Sequence, residues 1–310
     1  IKDDLLNQGY AYGLIYSTSY ACGGSRRRLR IGNFMNYDES GVGTPKSRIE
    51  VAQQVVTDLI YNTTGVRFGL MKFNPDQGGQ LVAACGTDST TLITEVANIA
   101  ADGWTPLAET LAEAGLYFAG MDSWYNFGTY TSPMQERCQK NYIIIMTDGQ
   151  STQDIDYRLT DTNYINGDKI GDYDNDHSGD EHDYIDNGSD YLDDVAKYLY
   201  ENDCNPTLGD GTTFDKQNIV TYTIGFKTSH KLLQDTASNG GGEYFTADNI
   251  SELAMAFDQI LMAISDENAV FVAPVVPISR MNRTYAGDKI YLGFFKPQQS
   301  GRWIGNIKRY

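Results

Sequence analysis

The sequence predicts an α/β fold: a doubly wound, mostly parallel sheet with one antiparallel edge strand, followed by a partial all-β segment. Segments 142–146 and 218–226 are nearly all apolar, as strands are when helices cover both faces of a parallel sheet. Amphipathic helical segments alternate with these strands, which is typical of this fold class. Segments 66–73 and 80–84 flank a turn containing Pro and Gly, and they predict the hairpin that adds the antiparallel edge strand.

The other elements are predicted by apolar periodicity and by the turn residues that flank them. A helix begins after Pro45 and ends at Gly65, with apolar residues at helical spacing between them. Segment 66–73 is apolar on both faces, so we expect it to be a central strand. A last strand of the sheet is expected at 242–246. Helical spacing predicts further helices near 91–100, 107–118, 189–199, 231–238 and 253–264.

Changes in composition indicate how the chain is divided. Residues 1–265 are predicted to form the α/β domain, with a Tyr- and Gly-rich insertion at 1–45 and an acidic insertion at 151–188. Short apolar segments separated by Gly, Pro and Asn turns fill residues 266–310, where an all-β domain is expected to start. That domain would need residues beyond Tyr310 to close.

Charge and hydropathy exclude two kinds of partner. The 310 residues include 41 Asp and Glu against 24 Lys and Arg, a net charge of −17, and such an acidic surface repels nucleic acid. No apolar run reaches the ~20 residues that cross a membrane, so no transmembrane segment is expected. No signal peptide is recognisable, and an exported protein would carry one upstream of Ile1 or would have lost it.

Two oxygen-bearing side chains are expected at the rim of the sheet, the edge where the parallel strands end and where such folds bind ligands. Asp148 closely follows the apolar strand 142–146, and Thr105 opens a helix after a Gly-Trp turn. A hydroxyl and a carboxylate together form an oxygen-only half-site for Mg²⁺ or Ca²⁺. Taken singly, Thr105 before Pro106 is an ordinary helix N-cap, and Asp148 before Gly149 is an ordinary turn. Together they predict an incomplete rim metal site.

The acidic insertion contains a stretch, 172–183, with the carboxylate spacing of an EF-hand calcium loop. Calcium would remove the repulsion among these carboxylates, whereas the alternative interpretation is a solvated acidic loop. His177 replaces the sixth-place glycine, Asp183 is shorter than the usual last glutamate, and no strong flanking helices are visible. We therefore expect a calcium loop without EF-hand helices. The predicted ligands are Asp172, Asp174, Asp176, Asp180 and Asp183.

The four cysteines form no Cys-x-x-Cys pair, so zinc-ribbon and thioredoxin-like sites are not expected. Their spacing is compatible with reduced thiols or with two disulfides in any of three pairings. Cys138 precedes a strand that runs towards the rim, and Cys204 follows a helix that runs away from it, which places both at the opposite edge of the sheet. We predict a Cys138–Cys204 disulfide, which leaves Cys22–Cys85 by elimination.

The order of these elements, with the strand and turn Ile-Ile-Ile-Met-Thr-Asp-Gly, resembles the von Willebrand factor A fold. In that fold Thr105 matches the metal-site threonine and Asp148 the distal aspartate. More narrowly, the chain resembles the PilY/PilC type of tip adhesin of type IV pili. Four segments carry this resemblance: IGNFMNY at 31–37, GWTPLAETL at 103–111, SDYLDDVA at 189–196 and GRWIGNIK at 301–308. The last of these resembles the lead-in to that family's C-terminal β-propeller.

The resemblance implies an extracellular adhesin on the bacterial cell surface or at a pilus tip, with a metal-dependent A-domain and no enzymatic activity. Its partners would be minor pilins or other pilus components and a host or abiotic surface ligand. Such domains carry Asp-x-Ser-x-Ser after their first central strand, which supplies three further metal contacts. Ser17 and Ser19 have this spacing, but Ile15 stands at the aspartate position, so we assign them to the insertion at 1–45. The first strand and its motif are expected upstream of Ile1.

Two rival functions are less favoured. A metal-dependent hydrolase could hold zinc through His177, Asp180, His182 and Asp183. However, no His-Glu-x-x-His motif, nucleophile elbow or phosphate-binding loop is present, so no enzyme is predicted. The stronger alternative is a cytosolic or periplasmic A-domain scaffold for the assembly of a larger complex. Free thiols would favour the scaffold and disulfides the adhesin.

Overall fold

The computed structural model describes residues 46–175, 184–208 and 216–268, and the backbone of strands at 291–296 and 304–309. The first elements are α1 (Arg48–Asn62), β1 (Leu70–Phe73), β2 (Gly79–Ala83), α2 (Ser89–Asn98), α3 (Leu107–Ala119) and β3 (Asn141–Thr147). The short α4 (Arg158–Asp161), a 3-10 turn (Ile165–Gly167), α5 (Tyr191–Glu201), β4 (Ile219–Phe226) and α6 (Lys231–Asn239) follow. The last are β5 (Gly241–Ala247), α7 (Ile250–Asn268), β6 (Tyr291–Lys296) and β7 (Ile304–Arg309).

A parallel sheet with the strand order β3-β4-β5 lies at the centre of the fold. β3 and β4 keep one register from the pair Asn141–Ile219 to the pair Thr147–Gly225. Every residue of β4 is buried, because this strand lies between two others and beneath helices. The prediction of a mixed α/β fold with a parallel core is confirmed.

The hairpin differs from its prediction. β1 and β2 pair antiparallel, but they form a two-stranded sheet of their own instead of an edge of the parallel sheet. The prediction of a central strand over 66–73 is wrong, because β1 begins only at Leu70 and pairs with β2 alone within the described residues. Val66 and Arg67 are exposed, so no packing extends the strand towards its N-terminus.

Helices cover both faces of the parallel sheet, as the apolar strands predict. On one face α3, α5 and α6 pack in one cluster, where Leu111, Leu199 and Leu233 are almost completely buried. On the other face α7 packs against β4 through Phe257 and Ile260. Each such buried side chain contributes about 1.5–3 kcal/mol to stability, so the strands are fixed from both sides.

One edge of β1 and one edge of β3 have no strand partner among the described residues. Phe73 of β1 and Ile143 of β3 pack against the same apolar cluster as α3. On the other face, Val56 of α1 packs against the clusters of both sheets. Within the described residues the outer edges of β2 and β5 are unpaired in the same way, and the expected strand upstream of Ile1 stays a prediction.

Towards the C-terminus, β6 and β7 pair antiparallel along their whole length. A larger β domain starting at residue 266 stays a prediction. None of the described helices combines the length and the apolar character needed to cross a membrane.

The predicted Cys138–Cys204 disulfide is not formed, and the structure corrects this prediction. Cys138 is an exposed free thiol, whereas Cys204 is buried with its Sγ 3.4 Å from the carbonyl oxygen of Leu199. Burial raises the pKa of the Cys204 thiol to about 12, which disfavours the reactive thiolate. Cys85 is also a free thiol, and its predicted partner, Cys22, lies outside the described residues.

Candidate functional site

Three carboxylates meet where the acidic insertion crosses the start of α5. One carboxylate oxygen from each of Asp172, Asp174 and Asp194 lies within 4.8 Å of the other two. Asp172 is exposed, Asp174 is half-buried and Asp194 is buried, so this acidic cluster reaches from the surface towards the interior. A group that offers only oxygen atoms has the chemistry of a Ca²⁺ or Mg²⁺ site.

The position of the buried carboxylate is set by α5. The helix begins at Tyr191, and Asp193 and Asp194 lie in its first turn, where the helix dipole favours negative charge. Leu192 and Val195, on either side of this pair, are completely buried. Apolar packing of the helix therefore holds two carboxylates beneath the surface.

Backbone hydrogen bonds fold the acidic insertion over Asp194. Its Oδ1 accepts hydrogen bonds from the backbone N–H of Tyr173 at 2.6 Å and of Asp174 at 3.1 Å. Gly171 and Asn175 have φ values of +59° and +64°, which turn the chain on both sides of this contact. The insertion therefore curls around the start of the helix.

An amide side chain connects the cluster to a third element. Asn239, the last residue of α6, donates from Nδ2 to Asp174 at 2.7 Å and lies 3.4 Å from an oxygen of Asp193. Because Asn239 bonds to carboxylates from the insertion and from α5, it ties both to the opposite helix. Three separate segments, the acidic insertion, α5 and α6, therefore hold the cluster together.

The electrostatics of the cluster favour a cation. Burial raises the pKa of Asp194 to about 7, and the charges of Asp174 and Asp172 raise it too, while the N–H groups of Asp174 and Tyr173 act in the opposite direction. Near neutral pH the cluster therefore holds Asp194 only partly ionised. A divalent cation would offset the repulsion and displace the proton from Asp194.

The sequence predicts part of this cluster. Asp172 and Asp174 are predicted calcium ligands, and the structure brings them together. Asp194 is a member that the prediction omits, since it lies 20 residues beyond Asp174. The signal available in the sequence is the pair Asp193-Asp194 between apolar residues at the start of a predicted helix. The remaining predicted ligands lie outside the described residues: Asp176, Asp180 and Asp183.

The two predicted rim residues belong to adjoining segments. Thr105 precedes α3, and its backbone N–H donates to Thr152 Oγ1 at 2.9 Å, while the Thr152 N–H donates to the Thr105 carbonyl at 3.1 Å. Asp148 follows β3 directly and is exposed. Both residues therefore lie at the carboxyl end of the parallel sheet. Their sharing of one Mg²⁺ or Ca²⁺ stays a prediction.

The start of α3 is capped by Asp154 from the acidic insertion. The carboxylate accepts from the backbone N–H groups of Ala108 and Glu109, both at 2.9 Å, and from Ser151 Oγ at 2.7 Å. The sequence suggests Thr105 as the N-cap, but the helix begins two residues later, after a proline without a capping side chain. A distant carboxylate supplies the acceptors instead.

Glu109 connects three segments near the rim. This completely buried carboxylate accepts from the backbone N–H of Gly78 at 2.8 Å and of Asp156 at 3.1 Å. Burial, together with the charge of the neighbouring Asp154, raises the pKa of Glu109 to about 8. Burial likewise raises the pKa of Asp154 to about 6. Both carboxyl groups hold loops together and face away from solvent.

None of the described residues adds a ligand to the zinc site that a metal-dependent hydrolase would need. His230 lies 3.4 Å from Gln150 and 2.6 Å from Thr228, in a small cleft at the carboxyl ends of β3 and β4. Within the described part of the chain, His230 belongs to no group of three metal-binding side chains. His177 and His182 lie outside the described residues.

No protein-family model and no curated protein matches the sequence. An aerotolerance-related membrane protein from Bacteroides fragilis is 13% identical, with a TM-score of 0.38 over 71% of this chain and 90% of that chain. BatB from Bacteroides thetaiotaomicron is 14% identical, with a TM-score of 0.40 over 71% and 89% of the two chains. The vWF domain of the type V pili tip protein Mfa5 from Porphyromonas gingivalis is 15% identical, with a TM-score of 0.39 over 74% and 90%. Similarity at this level establishes neither the family nor the function of the chain.

Proposed function

We propose that this chain is a calcium-binding, von Willebrand factor A-like domain of a bacterial surface adhesin, of the kind found at the tips of type IV pili. The observation that carries the proposal is the acidic cluster of Asp172, Asp174 and Asp194, whose carboxylate oxygens lie within 4.8 Å of one another. The adhesin role is supported by the four sequence motifs that resemble pilus tip adhesins. Its partners would be minor pilins or other pilus components and a surface ligand, and no enzymatic activity is proposed.

The residues of the acidic cluster suit calcium by their chemistry. Calcium takes six to eight oxygen ligands, many of them carboxylates, at flexible angles. The three carboxylates of the acidic cluster would supply part of this shell. The other predicted ligands of the insertion would supply more: Asp176, Asp180 and Asp183. Bound calcium would neutralise the negative charge that the cluster concentrates in one place.

Calcium bound to the insertion would also stabilise the neighbouring loop at the rim of the sheet. The backbone N–H of Gln153 donates to the Asp186 carbonyl at 2.9 Å, and that of Asp154 donates to the Asn187 carbonyl at 2.8 Å. Ser189 Oγ also donates to the Asp154 carbonyl at 2.6 Å. The far end of the insertion therefore pairs with the loop that caps α3. Calcium at the cluster would stabilise the surface that meets a partner.

Thermal unfolding in calcium and in chelator tests the proposal. Calcium in 100-fold excess over its Kd should stabilise the protein by about 2.7 kcal/mol. The substitution Asp194→Asn should abolish this calcium effect. It should also raise the melting temperature of the calcium-free protein, because the amide keeps an oxygen that accepts from Tyr173 and Asp174 while the buried charge is removed. These opposite effects separate a lost metal ligand from general damage to the fold.

Two further variants complete the test. Asp174→Ala should remove the calcium shift and the protection of the insertion from proteolysis. Asp58→Asn changes an exposed carboxylate on α1 and should leave both unchanged. If calcium and chelator give the wild-type protein the same melting temperature, the calcium part of the proposal is wrong.

One observation favours the second candidate, a scaffold that acts in the cytosol or periplasm. Cys85, Cys138 and Cys204 are free thiols in the structure, which fits a scaffold in the reducing cytosol better than one in the oxidising periplasm. Thiol titration of the denatured, unreduced protein purified from its native source discriminates the two candidates. Four free cysteines support the cytosolic scaffold, and fewer than four indicate an oxidising compartment, where the adhesin would act.

A further inference from the structure

A second groove lies beside the start of α3 and shares no residue with the acidic cluster. Its volume is about 380 Å³, within the range of small-ligand sites. The turn that contains Asn74, Asp76 and Gln77 supplies a polar wall, and the half-buried side chains of Trp124 and Tyr125 supply an aromatic lining. Arg158 completes the lining. The groove therefore combines a polar wall with an aromatic one.

The polar wall is built rigidly. A β-carbon at Gly78 would lie 2.2 Å from the ring of Tyr125, and one at Gly103 would lie 2.4 Å from the backbone of Pro75. Both positions need glycine, because the turn is packed tightly between its neighbours. The backbone N–H of Trp104 also donates to the Pro75 carbonyl at 3.1 Å. A preformed wall loses little conformational entropy when a ligand binds.

Arg158 is fixed by its neighbours, but some of its N–H groups form no hydrogen bond with the described residues. Its guanidinium lies over the rings of Tyr125 and Tyr157, at 5.2 and 5.3 Å from their centroids. Nη1 forms an ion pair of 2.9 Å with the buried carboxylate of Asp156. Its Nε and Nη2 groups donate to no acceptor within the described residues. These N–H groups are available to a ligand in the groove.

The turn offers groups that complement Arg158. The side chains of Asp76 and Gln77 are exposed and form no hydrogen bond with any described residue. Ionised Asp76 only accepts hydrogen bonds, Arg158 only donates them, and the Gln77 amide does both. The lining thus mixes donors and acceptors and carries one charge of each sign.

We propose that this groove binds neutral saccharides. Each sugar hydroxyl can donate and accept, which matches the mixed lining, and the C–H face of a sugar ring can pack on the aromatic side chain of Trp124. Asp76 and the net charge of −17 disfavour an anionic ligand. A purely apolar ligand would make no hydrogen bond with Asp76 or with the Nε and Nη2 groups of Arg158. The inference deepens the proposed adhesin function by naming its ligand class.

Binding to an array of neutral mono- and oligosaccharides, with glycans containing uronic or sialic acid for comparison, tests this inference. The purified chain should bind neutral saccharides, both in calcium and in chelator, because no residue of the groove belongs to the acidic cluster. Calorimetry with the best-bound saccharide then compares variants. Asp76→Ala should weaken binding about tenfold or more, because it removes a charged hydrogen-bond acceptor.

Asp76 has no structural partner within the described residues, so Asp76→Ala tests the groove without disturbing the fold. Arg158→Met should weaken binding to a similar degree, and Asp58→Asn, outside the groove, should not change it. The inference is overturned if no neutral saccharide binds, if only acidic glycans bind, or if Asp76→Ala binds as tightly as the wild type. Saccharide binding without any calcium effect on stability would leave this inference standing and would reject the calcium proposal.

Discussion

At the scale of single residues, two buried tyrosine hydroxyl groups differ in whether they form a hydrogen bond. Tyr164 Oη donates to the Ala112 carbonyl at 2.7 Å, whereas Tyr125 Oη is buried without a hydrogen-bond partner among the described residues. Tyr125→Phe removes a hydroxyl that gains nothing from folding, so we expect it to leave stability unchanged or to raise it by about 1 kcal/mol. Tyr164→Phe, the matched control, should lower stability by about 1 kcal/mol. Urea denaturation measures both, and a clear loss in Tyr125→Phe would contradict the prediction.

The acidic cluster shows at the same scale what a sequence can and cannot predict. Asp172 and Asp174 follow a local spacing, and local spacing is visible in one sequence. Asp194 joins them through tertiary folding, because the N–H groups of Tyr173 and Asp174 bond to its carboxylate from 20 or more residues away. No local pattern encodes such a contact. A ligand from a neighbouring helix can be identified only when the tertiary structure shows where that helix lies.

Among the elements, α3 depends on a cap that lies far away in the sequence. Asp154→Ala would leave the N–H groups of Ala108 and Glu109 without their acceptor in a buried position. We expect a loss of about 1–3 kcal/mol in the free energy of unfolding. Ser151→Ala removes one donor to the same carboxylate and the acceptor of the Ser189 backbone N–H, but it leaves the N–H groups of α3 capped, and it should cost about 1–2 kcal/mol. Urea denaturation compares the two, and hydrogen exchange at the first turn of α3 should rise more in Asp154→Ala.

The strands show a similar limit at the scale of elements. β3 and β4 are predicted correctly, because short apolar runs such as Ile143-Ile144-Ile145 are typical of buried strands. Segment 66–73 has a comparable apolar pattern, yet only its last four residues form β1. An apolar pattern indicates only that a segment is suited to burial. Val66 stays exposed, because no described element packs over it. Sheet order depends on neighbouring elements and cannot be obtained from one segment.

At the scale of the whole molecule, burial raises the pKa of three carboxyl groups among the described residues. The pKa is about 6 for Asp154, about 7 for Asp194 and about 8 for Glu109, each raised mainly by burial from an ordinary value near 4. The folded protein therefore retains protons that the unfolded chain releases. The stability that these groups contribute is fully present below about pH 4 and is lost as the pH rises through 6 to 8. In chelator, the free energy of unfolding should fall between pH 5 and pH 8.5.

Calcium should change this pH dependence through one of the three groups only. Protons and calcium compete for Asp194, so the stabilisation by calcium should be larger at pH 8 than at pH 5. Asp194→Asn should reduce the pH dependence in chelator by the share of this one group and should remove the interaction between calcium and pH. Glu109→Gln should also reduce the pH dependence, but it should leave the calcium effect and its pH dependence in place, because Glu109 is not part of the acidic cluster. Urea denaturation at both pH values, with calcium and with chelator, measures all four conditions. Equal stabilisation by calcium at pH 5 and pH 8 would mean that Asp194 does not bind the ion.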